Sequence, residues 1–432
     1  MLKKQLYLIR SNMKKIQPKV GIIGGGLAGV YTAYLLAQHN VTFEIIEAKP
    51  ILGGRICGED TNSPDYKIDL GPSWIFPHQQ EIQKLVSNLG LRLVEQYSSG
   101  DAIFQRNAKE QPEKVSGIAP PTMYRIFGGT TRLITSLAQN INEQNTTLST
   151  KANSFQYDGQ YWNVEIENNN SPCGLQGNGR STDIHDDLST STVLFEHLVI
   201  AAPPRVIAHK LSFRQTSGLT FKHQWGENTP SIHSDGQSEP MSGLNTNSVD
   251  TILEALSKKF EQTPTWMAAQ AKFAVTYKAP FWREHGLSGQ AFSHVGPLGE
   301  IHDASFEDND GNSVFALFGF VGIPFVHRQQ ASIEQIKNAC LSQLSSIFGP
   351  KASEHQQTYY KDWGSDPLIA NSLDQKQRPM HPHIDLVSEQ AQLKQLKLYF
   401  ATSEFSESEA GYMEGAILTA RQTVEKILLT VK

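Results

Sequence analysis

KVGIIGGGLAGVYTAYLLAQHNVTFEIIE, residues 19–47, predicts a strand, a glycine turn, a helix and a second strand in that order. The apolar run Lys19–Ile23 is typical of a buried strand, and Leu27–Gln38 has apolar residues at helical spacing. Thr42–Glu47 has the short apolar pattern of a second strand. This β–α–β order predicts an α/β domain built on a parallel sheet.

The turn between the first strand and the helix has the spacing of a dinucleotide-binding fingerprint. Gly24 allows a tight turn, Gly26 lets the backbone approach a pyrophosphate, and Gly29 lets the helix pack closely on the strand. The start of the helix offers N–H groups and a positive dipole end to phosphates. Glu47 ends the second strand and could accept hydrogen bonds from a ribose diol; the alternative is a solvated strand-end carboxylate. The predicted dinucleotide contacts in this segment are Gly24, Gly26, Leu27, Ala28, Gly29, Glu47 and Ala48.

The composition is that of an ordinary folded protein. The 432 residues include 39% hydrophobic and 19% charged side chains, which suits two or three packed lobes. A formal net charge of −5 provides no basic field for a nucleic-acid partner. Cys57, Cys173 and Cys340 show no disulfide or zinc spacing. His381-x-His383 stands between prolines in a predicted loop, so we expect no metal site.

No stretch of 18 or more apolar residues occurs, so the sequence predicts no membrane-spanning helix. The first 19 residues carry six basic and no acidic side chains, and they lack the apolar core and cleavage site of a signal peptide. We expect a frayed basic tail on a cytoplasmic protein.

Further motifs follow the β–α–β segment. Gly53-Gly54-Arg55 comes first, then Asp69–Trp74 (DLGPSW), and near the end Tyr399–Ala401, Glu404 and Gly411–Ala416 (GYMEGA). With these motifs the sequence resembles the flavin-containing amine oxidases, the monoamine oxidase and polyamine oxidase superfamily. The resemblance extends from about residue 19 to residue 427, apart from two polar stretches, and its most specific segments are 264–283, 286–305 and 399–420.

The resemblance implies a bound FAD. In the family the Gly-Gly-Arg segment lies along the pyrophosphate with its arginine as counter-ion, which suits a planar and permanently charged guanidinium. Glu404 would hold the ribityl or pyrophosphate region, and the helix starting near Glu414 would point its N-terminus at the flavin. The further implied cofactor contacts are Gly54, Arg55, Gly71, Pro72, Ser73, Trp74, Ala152, Glu404, Tyr412, Met413 and Ala416.

Three residues are candidates for the chemistry. Lys272 lies in a predicted long strand, Trp266–Tyr277, where pattern alone favours a solvated lysine. In the related oxidases the lysine at this position contacts flavin N5 through a water and assists the reaction with oxygen, so the resemblance implies that role. Tyr412 would form one wall of an aromatic cage around the amine, and Trp363 would lie near the flavin. For both aromatic residues the alternative is packing in the core.

Three positions depart from the family pattern. Ser372 stands where animal monoamine oxidases attach FAD through a cysteine, so we expect non-covalent FAD. Leu373 replaces the second cage tyrosine, which weakens the case for a simple arylalkylamine specificity. Thr402 replaces a glycine, so the approach of the backbone to the flavin would differ. The family's membrane-anchoring helix finds no match, and we expect no membrane anchor.

The predicted fold class is α/β, with a Rossmann-like FAD-binding domain and a second, mixed-sheet α+β substrate domain, discontinuous in sequence. Residues 15–78, 146–253 and 387–432 are assigned to the FAD-binding domain, and residues 79–145 and 254–386 to the substrate domain. Residues 168–192 and 215–250 are rich in Asn, Ser, Asp and Gly, and we predict two polar loop insertions there.

The predicted function is FAD-dependent oxidation of an amine by hydride transfer to flavin N5. The imine product would hydrolyse to an aldehyde or ketone plus ammonia or an amine, and O2 would be reduced to hydrogen peroxide. Three alternatives stay open: an L-amino-acid oxidase with Arg125 or Arg283 as carboxylate anchor, a flavin dehydrogenase or desaturase that does not use O2, and a catalytically lapsed FAD-binding scaffold. The expected partners are a small-molecule amine and O2, without nucleic acid, and a homodimer is left open.

Overall fold

The computed structural model describes residues 19–117, 121–168, 190–214, 246–308, 311–377 and 380–431. Within these ranges the strands are β1 (Val20–Ile23), β2 (Phe43–Ile46), β3 (Gly58–Asp60), β4 (Lys67–Asp69), β5 (Leu93–Glu95), β6 (Asp101–Gln105), β7 (Glu113–Val115), β8 (Tyr124–Ile126), β9 (Thr146–Thr147), β10 (Thr150–Tyr157), β11 (Trp162–Asn168), β12 (Thr190–Phe195), β13 (His197–Ile200), β14 (Ser212–Arg214), β15 (Ala271–Tyr277), β16 (Leu287–Ser293), β17 (Leu298–Asp303), β18 (Phe306–Glu307), β19 (Ser313–Val321), β20 (His355–Asp362) and β21 (Leu398–Phe400). The α-helices are α1 (Leu27–Gln38), α2 (Gln80–Asn88), α3 (Thr131–Ala138), α4 (Pro204–Lys210), α5 (Thr246–Gln262), α6 (Phe281–Glu284), α7 (Phe325–Arg328), α8 (Ile333–Phe348), α9 (Ser372–Lys376), α10 (Gln390–Gln395) and α11 (Met413–Leu428).

A parallel sheet carries the glycine turn. Its strands lie in the order β21–β13–β1–β2–β9, and each pairs in parallel with its neighbour. In register, Ile22 pairs with Val199 on one side and with Ile45 on the other. All of β1 is buried, as expected for a strand that is covered on both faces. The carboxyl ends of these strands meet at one edge of the sheet, where open α/β sheets bind their ligands.

Two apolar layers cover this sheet. On one face α1 packs against α11 and α3, with Val30, Leu36 and Leu133 in the shared core. On the other face lies a second sheet, β12–β11–β10–β14, whose Phe155 and Trp162 are fully buried. Burial of these large side chains provides the main stabilisation of the lobe.

The core of this lobe continues into part of the segment assigned to the substrate domain. α2 contributes Ile82 and Leu85 to the same cluster as α1, and α3 contributes Leu133. The helices of residues 79–145 therefore pack on the layer that contains α1, while β6 and β7 of that segment join the second lobe. The domain boundaries given above stay a prediction.

A mixed sheet forms the second lobe, in the order β20–β15–β19–β17–β16–β6–β7. β15 pairs antiparallel with β19 and β20, whereas β16 pairs parallel with β6. α8 packs on one face of this sheet, where Phe273 and Val275 meet Cys340 and Leu344. Residues that alternate with Phe273 and Val275, including Lys272, therefore face the opposite side, toward the first lobe.

The strand predicted for residues 266–277 is shorter in the structure. β15 begins at Ala271, because Met267 has a φ of +58° and the Gln270 N–H donates to the Met267 carbonyl in a tight turn. The predicted insertions at 168–192 and 215–250 lie mostly outside the described residues. At their ends, β12 begins at Thr190 and α5 at Thr246. None of the helices in the described ranges is long and apolar enough to cross a membrane.

A buried ion pair links α4, which follows β13, to α9, which follows β20. Arg205 Nη1 in α4 donates to Asp374 Oδ1 in α9 at 2.6 Å, and only 3% and 1% of these side chains are exposed. Arg205 also donates to the Glu261 carbonyl at 2.9 Å and to Gln377 Oε1 at 2.8 Å. The Thr265 N–H donates to the same Asp374 oxygen at 3.0 Å. The pair thereby fixes the end of α5 and the loop that leads to β15.

Asp374→Ala is expected to lower the free energy of unfolding by about 3–5 kcal/mol, because it leaves a guanidinium buried without its charged partner. Urea denaturation of the holoprotein measures this change. Glu254→Ala, which removes an exposed pair with Lys258, is the control and should cost less than about 0.5 kcal/mol. Equal stability of the two variants would contradict the role given to the buried pair.

Candidate active site

A cavity of about 600 Å³ lies between the two lobes. This volume is typical of cofactor and small-molecule sites, which occupy about 300–1,000 Å³. The predicted site residues that line it are Gly24, Gly26, Leu27, Ala28, Glu47, Ala48, Gly54, Arg55, Gly71, Pro72, Ser73, Trp74, Ala152, Lys272, Trp363, Tyr412, Met413 and Ala416. Gly29 and Glu404, which were also predicted, lie behind its wall. The structure therefore brings segments from both ends and the middle of the chain to one cavity.

The glycine turn has the shape that a nucleotide site needs. Gly24 has a φ of +111°, and a Cβ at Gly29 would lie 2.0 Å from the Gly24 carbonyl oxygen, so a side chain at Gly29 would push α1 away from β1. A Cβ at Gly26 would approach only Gly54 Cα, at 3.9 Å, and would occupy space in the cavity. Gly26 is the N-cap of α1, and among the described residues no side chain caps this helix. Its first N–H groups are therefore available to a phosphate.

Glu47 is held in place by two backbone donors. The Gly25 N–H donates to Oε2, and the Lys49 N–H donates to Oε1 at 2.8 Å. The carboxylate is buried at the cavity wall. Since each carboxylate oxygen can accept more than one hydrogen bond, acceptor capacity remains for the hydroxyls of a ribose.

Arg55 and Glu404 form a bidentate ion pair. Arg55 Nη1 donates to Oε1 at 2.6 Å and Nη2 donates to Oε2 at 2.8 Å. Burial alone would raise the pKa of the Glu404 carboxyl, but the Arg55 guanidinium outweighs burial and holds that pKa below its usual range. Glu404 is fully buried, whereas Arg55 lines the cavity. The carboxylate thus orients the guanidinium toward a cavity ligand and does not reach the cavity itself.

Thr402 has an orphaned hydroxyl at the cavity wall. The residue is buried, and no described residue hydrogen-bonds to its Oγ1. A buried hydroxyl without a partner costs about 1–3 kcal/mol, a penalty that a bound group with a hydrogen-bonding atom would remove. Together with the glycine turn, Glu47 and Arg55, this hydroxyl shows that the cavity fits a dinucleotide cofactor such as FAD.

Lys272 reaches the cavity from the mixed sheet. Its Nζ donates to Ser73 Oγ at 2.7 Å and to the Gly71 carbonyl at 3.1 Å, and it lies 4.1 Å from the ring centroid of Phe318. Burial lowers the pKa of this ammonium to about 7; the Asp69 carboxylate opposes that shift. The side chain is only 3% exposed. The cavity wall therefore holds a lysine that changes charge near neutral pH.

Aromatic rings form another part of the wall. Tyr412 is the N-cap of α11, and its ring centroid lies 6.0 Å from Phe76 and 6.2 Å from Trp266. His381 stacks on Trp266 with centroids 3.8 Å apart. Trp363 lies in the wall and donates its Nε1–H to the Leu70 carbonyl at 2.9 Å. Phe76 and Trp266 were not predicted; only their positions beside the DLGPSW motif and the Lys272 strand could have suggested them.

The positions that depart from the family pattern fall in different places. Leu373 lies in α9, away from the cavity wall, whereas the nearby Leu368 and Ile369 line it. In the part of the chain that the structure describes, no cysteine lines the cavity, and Cys57 and Cys340 are free thiols. No group of three or more His, Cys, Asp or Glu side chains within the described residues could hold a metal ion.

Glu300 is a further lining residue that the sequence analysis did not single out. It lies in β17, and its Oε1 is 2.6 Å from Nε2 of the buried His302. The arginines considered as carboxylate anchors are elsewhere. Arg125 is buried and donates to backbone carbonyls of residues 304 and 305, while Arg283 pairs with Asp303 and Glu307.

Comparisons with known proteins agree with this geometry. The family model of flavin containing amine oxidoreductases matches residues 240–428, and that of NAD(P)-binding Rossmann-like domains matches residues 22–89. A probable flavin-containing monoamine oxidase A of Dictyostelium discoideum is 22% identical over 92% of this chain and 94% of its own length. Polyamine oxidase 5 of Oryza sativa subsp. japonica is 24% identical over 82% of this chain and 76% of its own length.

Solved structures show the same fold. A putrescine oxidase triple mutant superimposes with a TM-score of 0.69 at 16% identity, covering 96% of this chain and 99% of its own. Cyclohexylamine oxidase from Brevibacterium oxydans IH-35A superimposes with a TM-score of 0.67 at 16% identity, covering 95% of this chain and all of its own. The predicted fold class and family are confirmed. This chain belongs to the flavin-containing amine oxidase family and is an FAD-dependent enzyme of that family.

Proposed function

We propose that this enzyme oxidises a small-molecule amine and uses O2 as the electron acceptor. The observation that carries the proposal is a single cavity that joins the nucleotide-binding glycine turn to Lys272 and Tyr412. A bound FAD would supply two-electron redox chemistry, namely hydride removal from the carbon that bears the nitrogen and reduction of O2, with two protons, to hydrogen peroxide. The imine would hydrolyse to an aldehyde or ketone plus ammonia or an amine. The relatives named above act on amines according to their names, which supports this substrate class.

The chain's residues would bind and orient both molecules. The α1 N-terminus and Arg55 would stabilise the charges of the diphosphate, and Glu47 would accept hydrogen bonds from the hydroxyls of a ribose. Tyr412, Phe76 and Trp266 exclude water from the amine. Desolvation favours the neutral amine, which is the form that can give up a hydride, so no side-chain base is required.

Lys272 supports the choice of oxidase over dehydrogenase. Its ammonium makes two hydrogen bonds, to Ser73 and the Gly71 carbonyl, and has a third N–H to offer. A fixed positive charge at this wall would stabilise negative charge that develops on oxygen as it takes up electrons. Ser73 and Gly71 hold the charge in place before the reaction, so little reorganisation is needed.

The positions of the arginines disfavour the L-amino-acid oxidase alternative. Arg125 and Arg283 are bound to carbonyls and carboxylates away from the cavity. Among the described residues, Arg55 is the arginine that lines the cavity, and Glu404 already holds both of its terminal nitrogens. A substrate carboxylate would meet Glu300 instead, which would repel it.

Non-covalent attachment of FAD is part of the proposal. Ser372 cannot form a thioether, and the described part of the cavity wall contains no cysteine. The closing motif would then hold the cofactor by contacts alone, through Tyr412, Met413 and Ala416.

The purified holoprotein is expected to show a flavin absorbance band that an amine bleaches in the absence of air. When air is admitted, the band should return, and one molecule of hydrogen peroxide should form for each flavin that is reoxidised. Acid denaturation should release all of the FAD into the supernatant. A mixed panel of amines and amino acids identifies the substrate class. A yellow protein that no amine reduces, or one reoxidised only by other acceptors, would contradict the proposal.

Lys272→Met is expected to slow reoxidation of the reduced flavin by O2 about 100-fold, because it removes a fixed charge beside the reacting centre. Reduction by the amine should change much less. Stopped-flow absorbance measures the two half-reactions separately. Lys278→Met, at an exposed position directly after the same strand, is the matched control. Unchanged reactivity with O2 in Lys272→Met would refute the role of this lysine.

The reoxidation rate should also depend on pH. Burial lowers the pKa of Lys272 to about 7, so the ammonium that assists O2 is present below pH 7 and lost above it. The second-order rate constant with O2 should therefore fall between pH 6 and pH 8.5 in the native enzyme, and this step should be absent in Lys272→Met. A rate constant that rises with pH over this range would contradict this role, because it would show that Lys272 assists O2 in its neutral form.

A further inference from the structure

We infer that Asp69 is a positioning residue for the reaction with O2, because its buried carboxylate is the counter-charge that keeps Lys272 positively charged at the cavity wall. This inference rests on the proposed function, since it concerns the lysine that is proposed to assist O2. Its basis is a row of side chains with alternating charge that leads from the cavity to the surface. In order, the row consists of Lys272, Asp69, Arg125, Asp303, Arg283 and Glu307.

The Asp69 carboxylate is fixed at one oxygen and open at the other. Thr130, the N-cap of α3, donates to Oδ1 from its N–H at 2.8 Å and from its hydroxyl at 2.7 Å. No described residue hydrogen-bonds to Oδ2, although only 4% of Asp69 is exposed. A carboxylate that is buried in this way is stable as an anion only beside positive charges.

Two positive groups meet this need. Burial raises the pKa of the Asp69 carboxyl, whereas the Arg125 guanidinium and the Lys272 ammonium oppose that rise. Arg125 is buried too, and it is held by two backbone carbonyls at 3.1 and 3.2 Å. The two cations thereby favour the anionic carboxylate, and the carboxylate in turn favours both cations.

The outer half of the row compensates Arg125 from the other side. Asp303 is fully buried and accepts from Arg283 Nε at 2.8 Å, and Arg283 also pairs with the exposed Glu307. Arg125 thus has an opposite charge on each side, at Asp69 and at Asp303. Lys272 is the cavity end of the row, and among the described residues Asp69 is the opposite charge that acts on it.

Asp69 also belongs to the segment that holds the ammonium. It begins the DLGPSW motif, in which the Gly71 carbonyl and Ser73 Oγ accept from Lys272 Nζ. Its hydrogen bonds to Thr130 fix the start of this segment against α3. The carboxylate therefore acts on Lys272 through its charge and through the position of the two acceptors.

Other charged groups near Lys272 have partners of their own. Lys361 in β20 pairs with Lys272 in register and so faces the same side, but it lies 3.8 Å from the Asp366 carboxylate. Glu300 lies on the far side of β19, 2.6 Å from His302 Nε2. Asp69 and Arg125 therefore remain as the charges that set the charge state of Lys272, and they act in opposite directions.

The test is the pH dependence of the reaction with O2 in the holoenzyme. The flavin is reduced with a stoichiometric amount of dithionite, so that the measurement needs no amine, and stopped-flow absorbance follows reoxidation from about pH 5.5 to about pH 9. In the native enzyme the rate constant should fall with a midpoint near the pKa of about 7 to which burial lowers the Lys272 ammonium.

Asp69→Asn should move this midpoint to lower pH. The amide oxygen can still accept from both Thr130 donors, and the amide nitrogen replaces the oxygen that has no partner, so the main loss is the charge. Burial and Arg125 then lower the pKa of Lys272 further, and the midpoint should fall by about 1 pH unit or more. The rate constant at pH 7 should drop about 5-fold, and a lower pH should restore it, which a merely structural defect would not allow.

Arg125→Met should have the opposite effect, because it removes a positive charge that disfavours the ammonium. The midpoint should rise by about 1 pH unit, so that the rate constant at pH 8 exceeds the native value about 5-fold. Asp60→Asn is the matched control. Asp60 lies in β3, beside the strand that ends in Asp69, and its exposed carboxylate pairs with Lys67, so the midpoint should not change.

An unchanged midpoint in Asp69→Asn would overturn the inference while the proposed function stands. If Asp69→Asn does not retain FAD, Arg125→Met decides, and a midpoint at or below the native one would overturn the inference. If amines fail to reduce the flavin, amine oxidation is refuted, and the dithionite-reduced enzyme still tests the role of Asp69. If the native enzyme shows no fall with pH, the role of Lys272 fails and this inference fails with it.

Discussion

The ion pair between Arg55 and Glu404 is the interaction on which the assembly of the site depends. It joins residues that lie 349 positions apart in the sequence. The loop before the Lys272 strand joins the same pair, because the Trp266 N–H donates to Glu404 at 3.3 Å and its carbonyl faces Arg55. A fully buried carboxylate is stable as an anion only with such a partner. The Gly53-Gly54-Arg55 segment, the closing motif and the loop before β15 are therefore positioned relative to one another by one pair of charges.

The cavity has two ends that are built in different ways. At the nucleotide end, backbone N–H groups and glycines form the surface, and the side chains that matter, Glu47 and Arg55, are fixed by backbone donors or by another charge. At the end proposed for the reaction, side chains of the mixed sheet and of the N-cap of α11 provide a lysine, a carboxylate and aromatic rings. A surface of backbone N–H groups and glycines suits a cofactor that is common to a whole family. The side chains at the other end can differ between enzymes with different substrates without disturbing the fold.

Much of the fold could be predicted because the decisive signals are local. The glycine spacing and the apolar period placed α1 at Leu27–Gln38, which is where the structure has it. The predicted start of the Lys272 strand at residue 266 was wrong, because the turn at Met267 depends on a contact of the preceding residue with Glu404, far away in sequence. Glu300 was missed for a similar reason: its position beside Phe320 and Lys272 follows from strand register, which no local pattern reveals. Thr402 was recognised as a departure, but its orphaned hydroxyl could be seen only once the cavity was known. The domain boundaries, the roles of the individual site residues, non-covalent attachment, oligomeric state and cytoplasmic location stay predictions.

The most direct test of the central claim is a crystal structure of the holoenzyme with its FAD. We expect one FAD in the cavity between the lobes, with its adenosine ribose at Glu47, its diphosphate at the α1 N-terminus and its flavin ring between Lys272 and Tyr412. In that arrangement Thr402 Oγ1 should lie within hydrogen-bonding distance of the cofactor. A flavin bound elsewhere, or one whose ring lies away from Lys272, would contradict the account of both the cofactor site and the chemistry.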